Sequence, residues 1–470
     1  MEYKYKTKPF DHQRKALSEG ANKHNYAYLM EMGTGKTKVC IDNMAHLWLQ
    51  DEISLVLVVA PNSVYQNWKT EIEKHCPVET NIHVYKIDKN KNFKIDPEKL
   101  NFLLINVEAF SHKSGFEFVN PIVYARCEKM CMVVDESTTI KNRKAKRTKT
   151  IIEVGQNVAY KRILTGSPVT KSPLDLFSQC QFLDNNILGT DNYFVFRARH
   201  CAMKHIALPG RNVQIPLITH YMNLEDIEQR LKNYSYRVKK EECLKLPDKI
   251  YQKRLVQLKG EQLSVYVTLK KHARALFEDQ EVSYNNKLTE IIKLTQVCNG
   301  FLKSDEGVIT DLGNAKLQEL LNILDELDGK AIIWADYIHN IEQIREKLNK
   351  IYGEGSSVAI YGDISIQDRE KAIKDFQTSD EVRFIVGNPT VGGYGLNLTK
   401  ASTVIYFSNN FNLETRLQSE DRAHRIGQEK NVTYIDIIAE KTIDEFIISL
   451  LNKKLKISAE TLGEEVLAYL

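Results

Sequence analysis

The sequence predicts an α/β protein in which two parallel-sheet lobes flank a helical insertion. Two observations carry this. Short apolar runs recur in two series: residues 26–30, 54–60, 102–106, 130–135 and 162–165, then 331–334, 358–361, 383–386, 403–407 and 432–438. Runs of this length, rich in Val, Ile and Leu and lacking polar alternation, read as strands covered on both faces. Alternating with helical stretches, they imply parallel sheets wrapped by helices. Between the series the composition turns to Glu, Lys, Leu and Gln, as in Asn223-Leu224-Glu225-Asp226-Ile227-Glu228-Gln229-Arg230-Leu231. That is the pattern of long amphipathic helices. The expected divisions are a first lobe over 1–183, a helical insertion or linker over 184–329, a second lobe over 330–455 and a helical tail over 456–470.

The bulk composition sets the class. A chain of 470 residues, 43% hydrophobic and 27% charged, is globular and long enough for several domains, each with its own core. No apolar run approaches the ~18 residues of a membrane span. The basic N-terminal residues have no apolar stretch behind them, so no signal peptide is expected. Eight cysteines are scattered with no Cys-x-x-Cys pair, and Cys127 and Cys131 lack partners at zinc spacing. Reduced thiols in an intracellular protein are expected. Net charge is only +4, but Lys141-Asn142-Arg143-Lys144-Ala145-Lys146-Arg147-Thr148-Lys149 is densely basic, and Arg237-Val238-Lys239-Lys240 less so. Such runs are either solvated faces or nucleic-acid contacts. No spare apolar helix or heptad pattern appears, so a monomer is expected.

Six segments carry candidate chemistry. Gly33-Thr34-Gly35-Lys36-Thr37 joins a strand-like run to a helical one. Glycines let backbone N–H groups close on phosphate oxygens at a helix N-terminus. Lys36 can reach the β- and γ-phosphates, and the Thr37 hydroxyl can ligate Mg²⁺. Met30 stands where the full pattern has glycine, so a plain strand–turn–helix remains an alternative.

Met132-Val133-Val134-Asp135-Glu136 is an apolar strand ending in two carboxylates. In parallel sheets the ligand crevice lies at the strands' carboxyl ends. Asp135 can hold Mg²⁺ through its water shell, and Glu136 can deprotonate an attacking water. The alternative is a helix-capping pair. Arg162-Ile163-Leu164-Thr165-Gly166-Ser167-Pro168 is a strand with a polar end, where Thr165 and Ser167 could sense the γ-phosphate or simply form a turn.

In the second series, Gly392-Gly393-Tyr394-Gly395-Leu396-Asn397-Leu398 lets backbone approach nucleotide or nucleic acid closely, or makes a long turn. Gln418 to Gln428 is expected at a helix end, with Arg422 and Arg425 on one face. Two guanidinium forks there can grip a γ-phosphate held by another domain. They can equally form a salt-bridged face, with Asp421 as local partner. In Pro9-Phe10-Asp11-His12-Gln13, the Gln13 amide could bond adenine N6 and N7, and Phe10 could pack on the base.

In this order and spacing the segments resemble the superfamily 2 helicases, and within them the Swi/Snf-type double-stranded DNA translocases. Glu31 to Thr37 resembles motif I, Ala60-Pro61-Asn62-Ser63 through Asn67-Trp68 motif Ia, and Asp135-Glu136 with Ile140-Lys141-Asn142 motif II. Leu164 to Pro168 is similar to motif III, Gly392-Gly393 through Asn397-Leu398 to motif V, and Asp421-Arg422-Ala423-His424-Arg425-Ile426-Gly427-Gln428 to motif VI. The resemblance covers nearly the whole chain and points to compact bacterial or phage members. It implies two RecA-like lobes with ATP and Mg²⁺ between them and a location in the cytoplasm of a prokaryotic or phage-infected cell.

The resemblance also assigns roles. Phe10, Gln13, Gly33, Thr34, Gly35, Lys36 and Thr37 would bind ATP, while Thr37 and Asp135 would hold the metal. Lys36, Asp135, Glu136, Arg422 and Arg425 would be catalytic. Thr165, Ser167, Gly393 and Gly395 would couple turnover to movement, and Asn62, Ser63, Lys141, Arg143 and Asn397 would touch DNA. The implied function is ATP-dependent translocation on double-stranded DNA, remodelling forks or branched junctions in replication, recombination or repair. An ATP-gated DNA-binding factor without processive motion and an RNA helicase are the alternatives. Ser137 and Thr138 depart from the Ala-His or Gly-His that often follows the two acids. That puts the usual link from motif II to motif III in question, but not hydrolysis.

Overall fold

A computed structural model describes residues 3–61, 65–85, 93–207, 214–278, 284–392 and 396–463. Contacts divide the chain into two units. Among the described residues, the first takes in those up to 203, 218–245 and 454–463; the second takes in 204–217 and 246–453.

Among the described residues the first unit is built on seven strands: β1 (Asn25–Met30), β2 (Leu55–Ala60), β3 (Thr80–Val84), β4 (Leu100–Asn106), β5 (Met130–Asp135), β6 (Tyr160–Leu164) and β7 (Ser235–Val238). Their order is β3-β4-β2-β5-β6-β1-β7, and every neighbouring pair is parallel. The apolar runs behave as their composition predicts. All six residues of β2 are buried, Leu57 and Val59 on one face and Val56 and Val58 on the other. Helices Asp11–Gly20, Lys36–Leu49 and Tyr65–His75 cover one face. Helices Lys113–Arg126, Lys146–Gly155 and Leu176–Leu183 cover the other.

The second unit's sheet has six strands among the described residues: β8 (Lys249–Val256), β9 (Ala331–Trp334), β10 (Ser357–Ile360), β11 (Phe384–Gly387), β12 (Thr403–Tyr406) and β13 (Val432–Ala439). They run in the order β8-β13-β12-β9-β11-β10, again parallel throughout. Side chains of Ile333, Val386 and Ile405 pack on one face, and those of Ile332, Ile385 and Val404 on the other.

The stretch expected to be helical does carry the helices Gly260–Glu278, Tyr284–Cys298 and Ala315–Asp325. It also holds β7 and β8, which the composition hid. β7 adds to the first sheet beside β1, and β8 to the second beside β13. Both are edge strands, and most of β8 is exposed, so the solid apolar signature of a central strand is missing. The closing helix is Ile443–Thr461. The eight cysteines, all among the described residues, are free thiols. No helix among the described residues is long and apolar enough to cross a membrane.

The parallel registers place the candidate segments. Tyr28 and Asp135 both pair with Leu164, so β1, β5 and β6 end at one sheet edge. The segments that follow these three strands hold Lys36, Glu136 and Thr165.

Candidate nucleotide site

The chain leaves β1 at Met30 and turns into the helix Lys36–Leu49 through Gly33 and Gly35, at φ +83° and +86°. Only glycine takes these left-handed angles without strain. At Gly35 any side chain would also collide with the Gln13 amide. Gln13 Nε2 donates to the Thr34 carbonyl at 3.0 Å, His12 Nε2 lies 2.8 Å from the same oxygen, and Gln13 Oε1 accepts from the Phe10 N–H at 3.1 Å. Gln13, expected at the adenine, thus also buttresses the phosphate loop. Phe10 is half-exposed and stacks on His12, ring centres 5.7 Å apart.

Lys36 is buried in the first helical turn, with Nζ 3.6 Å from Glu136 Oε1. Thr37 beside it is partly exposed. Asp135, the last residue of β5, is buried. Its Oδ2 accepts from Trp68 Nε1 at 2.7 Å and its Oδ1 from the Glu136 N–H at 2.9 Å. Burial pushes its carboxyl above the ordinary range, against the opposing pull of Lys36 and these two donors. Glu136 sits in the left-handed region at φ +47°, where a side chain costs about 1–2 kcal/mol. Strain of this kind is kept where the surroundings enforce it, and functional sites are where it clusters.

The turn after β6 packs on the phosphate loop. A Cβ at Gly166 would meet the Met32 nitrogen at 2.9 Å, so only glycine allows this approach. Arg237 of β7 donates to the carbonyls of Leu29 at 3.1 Å and Gly166 at 3.0 Å, clamping the two segments together. Thr165 is buried, and its Oγ1 accepts from the Ser167 N–H at 3.2 Å. In the basic run, Lys141 Nζ donates to Thr170 Oγ1 at 2.7 Å, and the Arg143 guanidinium lies 4.0 Å from the Tyr193 ring centre. Asn142, Lys144, Lys146 and Lys149 are exposed. Asn62 and Ser63 lie outside the described residues.

In the second unit the helix Leu413–Glu420 ends before the arginines. Arg422 and Arg425 therefore do not share a helix face as their spacing suggested; they lie in the turns that follow. Both nevertheless reach one acceptor, the Leu396 carbonyl, through Nη1 at 3.5 and 3.0 Å. Asp421 lies 3.9 Å from Lys249 Nζ. Gln428 Nε2 reaches the carbonyls of Thr399, Ala401 and Ala423, which ties the arginine turn to the segment after Leu396. The helix itself is fixed by Arg416, whose guanidinium binds Glu420 at 2.8 Å and Asp436 at 2.5 Å. Asn397 is exposed. Gly393 and Gly395 lie outside the described residues.

A SNF2-related domain matches residues 17–301, and a helicase conserved C-terminal domain matches residues 314–427. The chain belongs to the SNF2-related family. It is 28% identical to an uncharacterized ATP-dependent helicase of Mycoplasma genitalium, over 93% of this chain and 40% of that protein. It is 25% identical to Protein CHROMATIN REMODELING 19 of Arabidopsis thaliana, over 93% of this chain and 66% of the relative. The chain thus spans less than two thirds of the length of these curated relatives. Among solved structures, the Sulfolobus solfataricus SWI2/SNF2 ATPase core in complex with double-stranded DNA aligns at a TM-score of 0.45. That alignment is 26% identical and covers 97% of this chain and 93% of that one.

Three residues of this SNF2-related chain enter the site without a sequence signal. Trp68 sat in a motif with no role attached, and it holds Asp135. Arg237 read as surface charge, and it is an internal clamp. Gln179, in the helix Leu176–Leu183, carried no sequence role, yet it is fully buried and bonded to Ser137 beside Glu136. Their partners lie far away in sequence, so only the fold brings these contacts together.

Proposed function

We propose that the chain hydrolyses ATP to drive translocation on double-stranded DNA, and that it remodels forked or branched DNA in replication, recombination or repair. The observation that carries this reading is Lys36 standing 3.6 Å from Glu136 where two strands of one parallel sheet end. A phosphate-loop lysine and a carboxylate so placed suit phosphoryl transfer to water. Membership of the SNF2-related family and the helicase C-terminal match support the same reading.

In this mechanism the loop N–H groups and Lys36 hold the β- and γ-phosphates, while Phe10 and Gln13 meet the adenine. Glu136 takes the proton of the attacking water. Arg422 and Arg425 stabilise charge on the transferring phosphoryl group. The Thr37 hydroxyl and the Asp135 carboxylate are hard oxygen donors that would hold Mg²⁺. A carboxylate already oriented by Trp68 suits a grip through the ion's water shell. Bound there, the ion neutralises phosphate charge. Thr165, Ser167, Gly393 and Gly395 relay the nucleotide state. Lys141, Arg143, Asn62, Ser63 and Asn397 meet DNA phosphates rather than base edges, so binding is salt-dependent and weakly sequence-specific. The working form is a monomer.

The test is the steady-state ATPase rate without nucleic acid, then with duplex DNA, single-stranded DNA, a four-way junction and double-stranded RNA. Strong stimulation by duplex or junction DNA is expected. Stimulation by RNA or single strands alone, or a rate indifferent to all of them, would overturn the proposal.

A further inference from the structure

Two residues behind the acid pair tie it to the turn after β6. Ser137 Oγ donates to Gln179 Oε1 at 2.6 Å, and Gln179 Nε2 donates to the carbonyls of Pro168 and Asp175, each at 2.8 Å. Ser137 and Gln179 are both fully buried. Asp175 is buried as well, and its Oδ2 accepts from the backbone N–H groups of Thr170 at 3.0 Å and Lys171 at 2.8 Å. A second tie closes the circuit further along, where Lys141 Nζ donates to Thr170 Oγ1 at 2.7 Å. The segment that starts at the strained Glu136 is thus bonded at two points to the loop that starts at Thr165 and Ser167.

We propose that Ser137 and Gln179 are positioning residues that make Glu136 and the Thr165–Ser167 turn move as one body, setting the geometry of the base for hydrolysis. This rests on the ATPase reading above. The physical ground is the cost of breaking a buried hydrogen bond. Removing either partner leaves the other without solvent to replace it, whereas replacing both with apolar groups removes the demand. The segments on either side therefore cannot shift separately without orphaning Gln179. Ser137 stands where a small apolar residue would offer no such bond, and in this chain the polar partner is present on the facing helix.

The experiment is a double-mutant cycle on the full chain with Ser137→Ala, Gln179→Leu and the pair combined. It reads kcat and KM for ATP with and without duplex DNA, fluorescent-ATP affinity and thermal melting. Each single variant should lower kcat about tenfold with nucleotide affinity retained, because the base is displaced and not the binding loop. The double variant should fall no further than the worse single. Single variants that melt earlier but keep wild-type kcat would reduce the pair to packing and overturn the proposal. So would losses that multiply in the double variant. Ser137→Ala, which removes one hydroxyl, keeps the test open if Gln179→Leu does not fold. An ATPase unmoved by DNA in the wild type defeats the motor reading alone, since the cycle is still read in basal kcat. An inactive wild type defeats both.

Discussion

The Lys36 ammonium lies 3.6 Å from Glu136 Oε1, so the cation proposed to hold phosphate and the carboxylate proposed to activate water face each other within the first unit. The pair is almost fully buried, and such a pair is more strongly coupled than one in water.

The two residues should therefore fail differently. Glu136→Gln keeps the side chain's shape and loses the proton acceptor, so kcat should fall on the order of a hundredfold to ten-thousandfold with nucleotide binding retained. Lys36→Ala removes the phosphate contact and should abolish measurable binding along with turnover. Steady-state kinetics beside fluorescent-nucleotide titration separates the two. Near-wild-type turnover in Glu136→Gln would refute the base assignment.

Trp68 should control the acid limb of the pH profile. Its indole N–H bonds Asp135 Oδ2 at 2.7 Å and favours the ionised carboxylate, which burial already disfavours. Trp68→Phe removes that donor and should raise the Asp135 pKa further. In the proposed mechanism Asp135 acts as the ionised carboxylate, so ATPase activity should be lost at a higher pH than in wild type as the solution is acidified, and should recover in alkali. An unmoved acid limb would mean that Asp135 is set by Lys36 and the backbone alone.

The strands of both sheets were legible because a central parallel strand must be apolar on both faces. The run 130–135 matches β5, and 331–334 matches β9, residue for residue. The turn at Gly33 and Gly35 was legible because its glycines meet a backbone requirement that no other residue meets cheaply. Edge strands such as β8 escaped because solvent on one side dilutes the signal. The arginine turn was misjudged for a different reason. An i, i+3 spacing says which residues face together only if a helix continues, and nothing local marks its end at Glu420. The role of Gln179 could not be read at all, since it depends on Ser137 and Pro168 being brought to it by the sheet.

Asp336, two residues past the end of β9, gives the second unit a titration of its own. Desolvation pushes its carboxyl from 3.8 up to about 6, although Asn410 donates to it at 2.9 Å. A raised carboxyl stabilises the fold in its protonated form. The contribution is full below the unfolded value near 3.8 and is lost as pH rises through about 6. The whole swing is about 3 kcal/mol. Asp336→Asn, which cannot ionise, should therefore gain stability relative to wild type between pH 5 and pH 8. Denaturant unfolding at both values measures it. Parallel stabilities would show that Asp336 is solvated in the folded chain.

Arg425 donates from Nη1 to the Leu396 carbonyl at 3.0 Å, so part of its guanidinium is anchored while the side chain remains partly exposed. A planar guanidinium fork can meet a phosphoryl group at two points, which a single ammonium cannot do. Arg425→Ala should bind ATP normally and hydrolyse it about a thousandfold more slowly. Arg425→Lys should restore charge without the fork and recover little of that loss. If lysine restored full turnover, the residue would act as a point charge and the anchoring at Leu396 would be incidental. If alanine weakened nucleotide affinity and spared the maximal rate, Arg425 would be a binding residue, and the arginine assigned to charge stabilisation would have to be Arg422 alone.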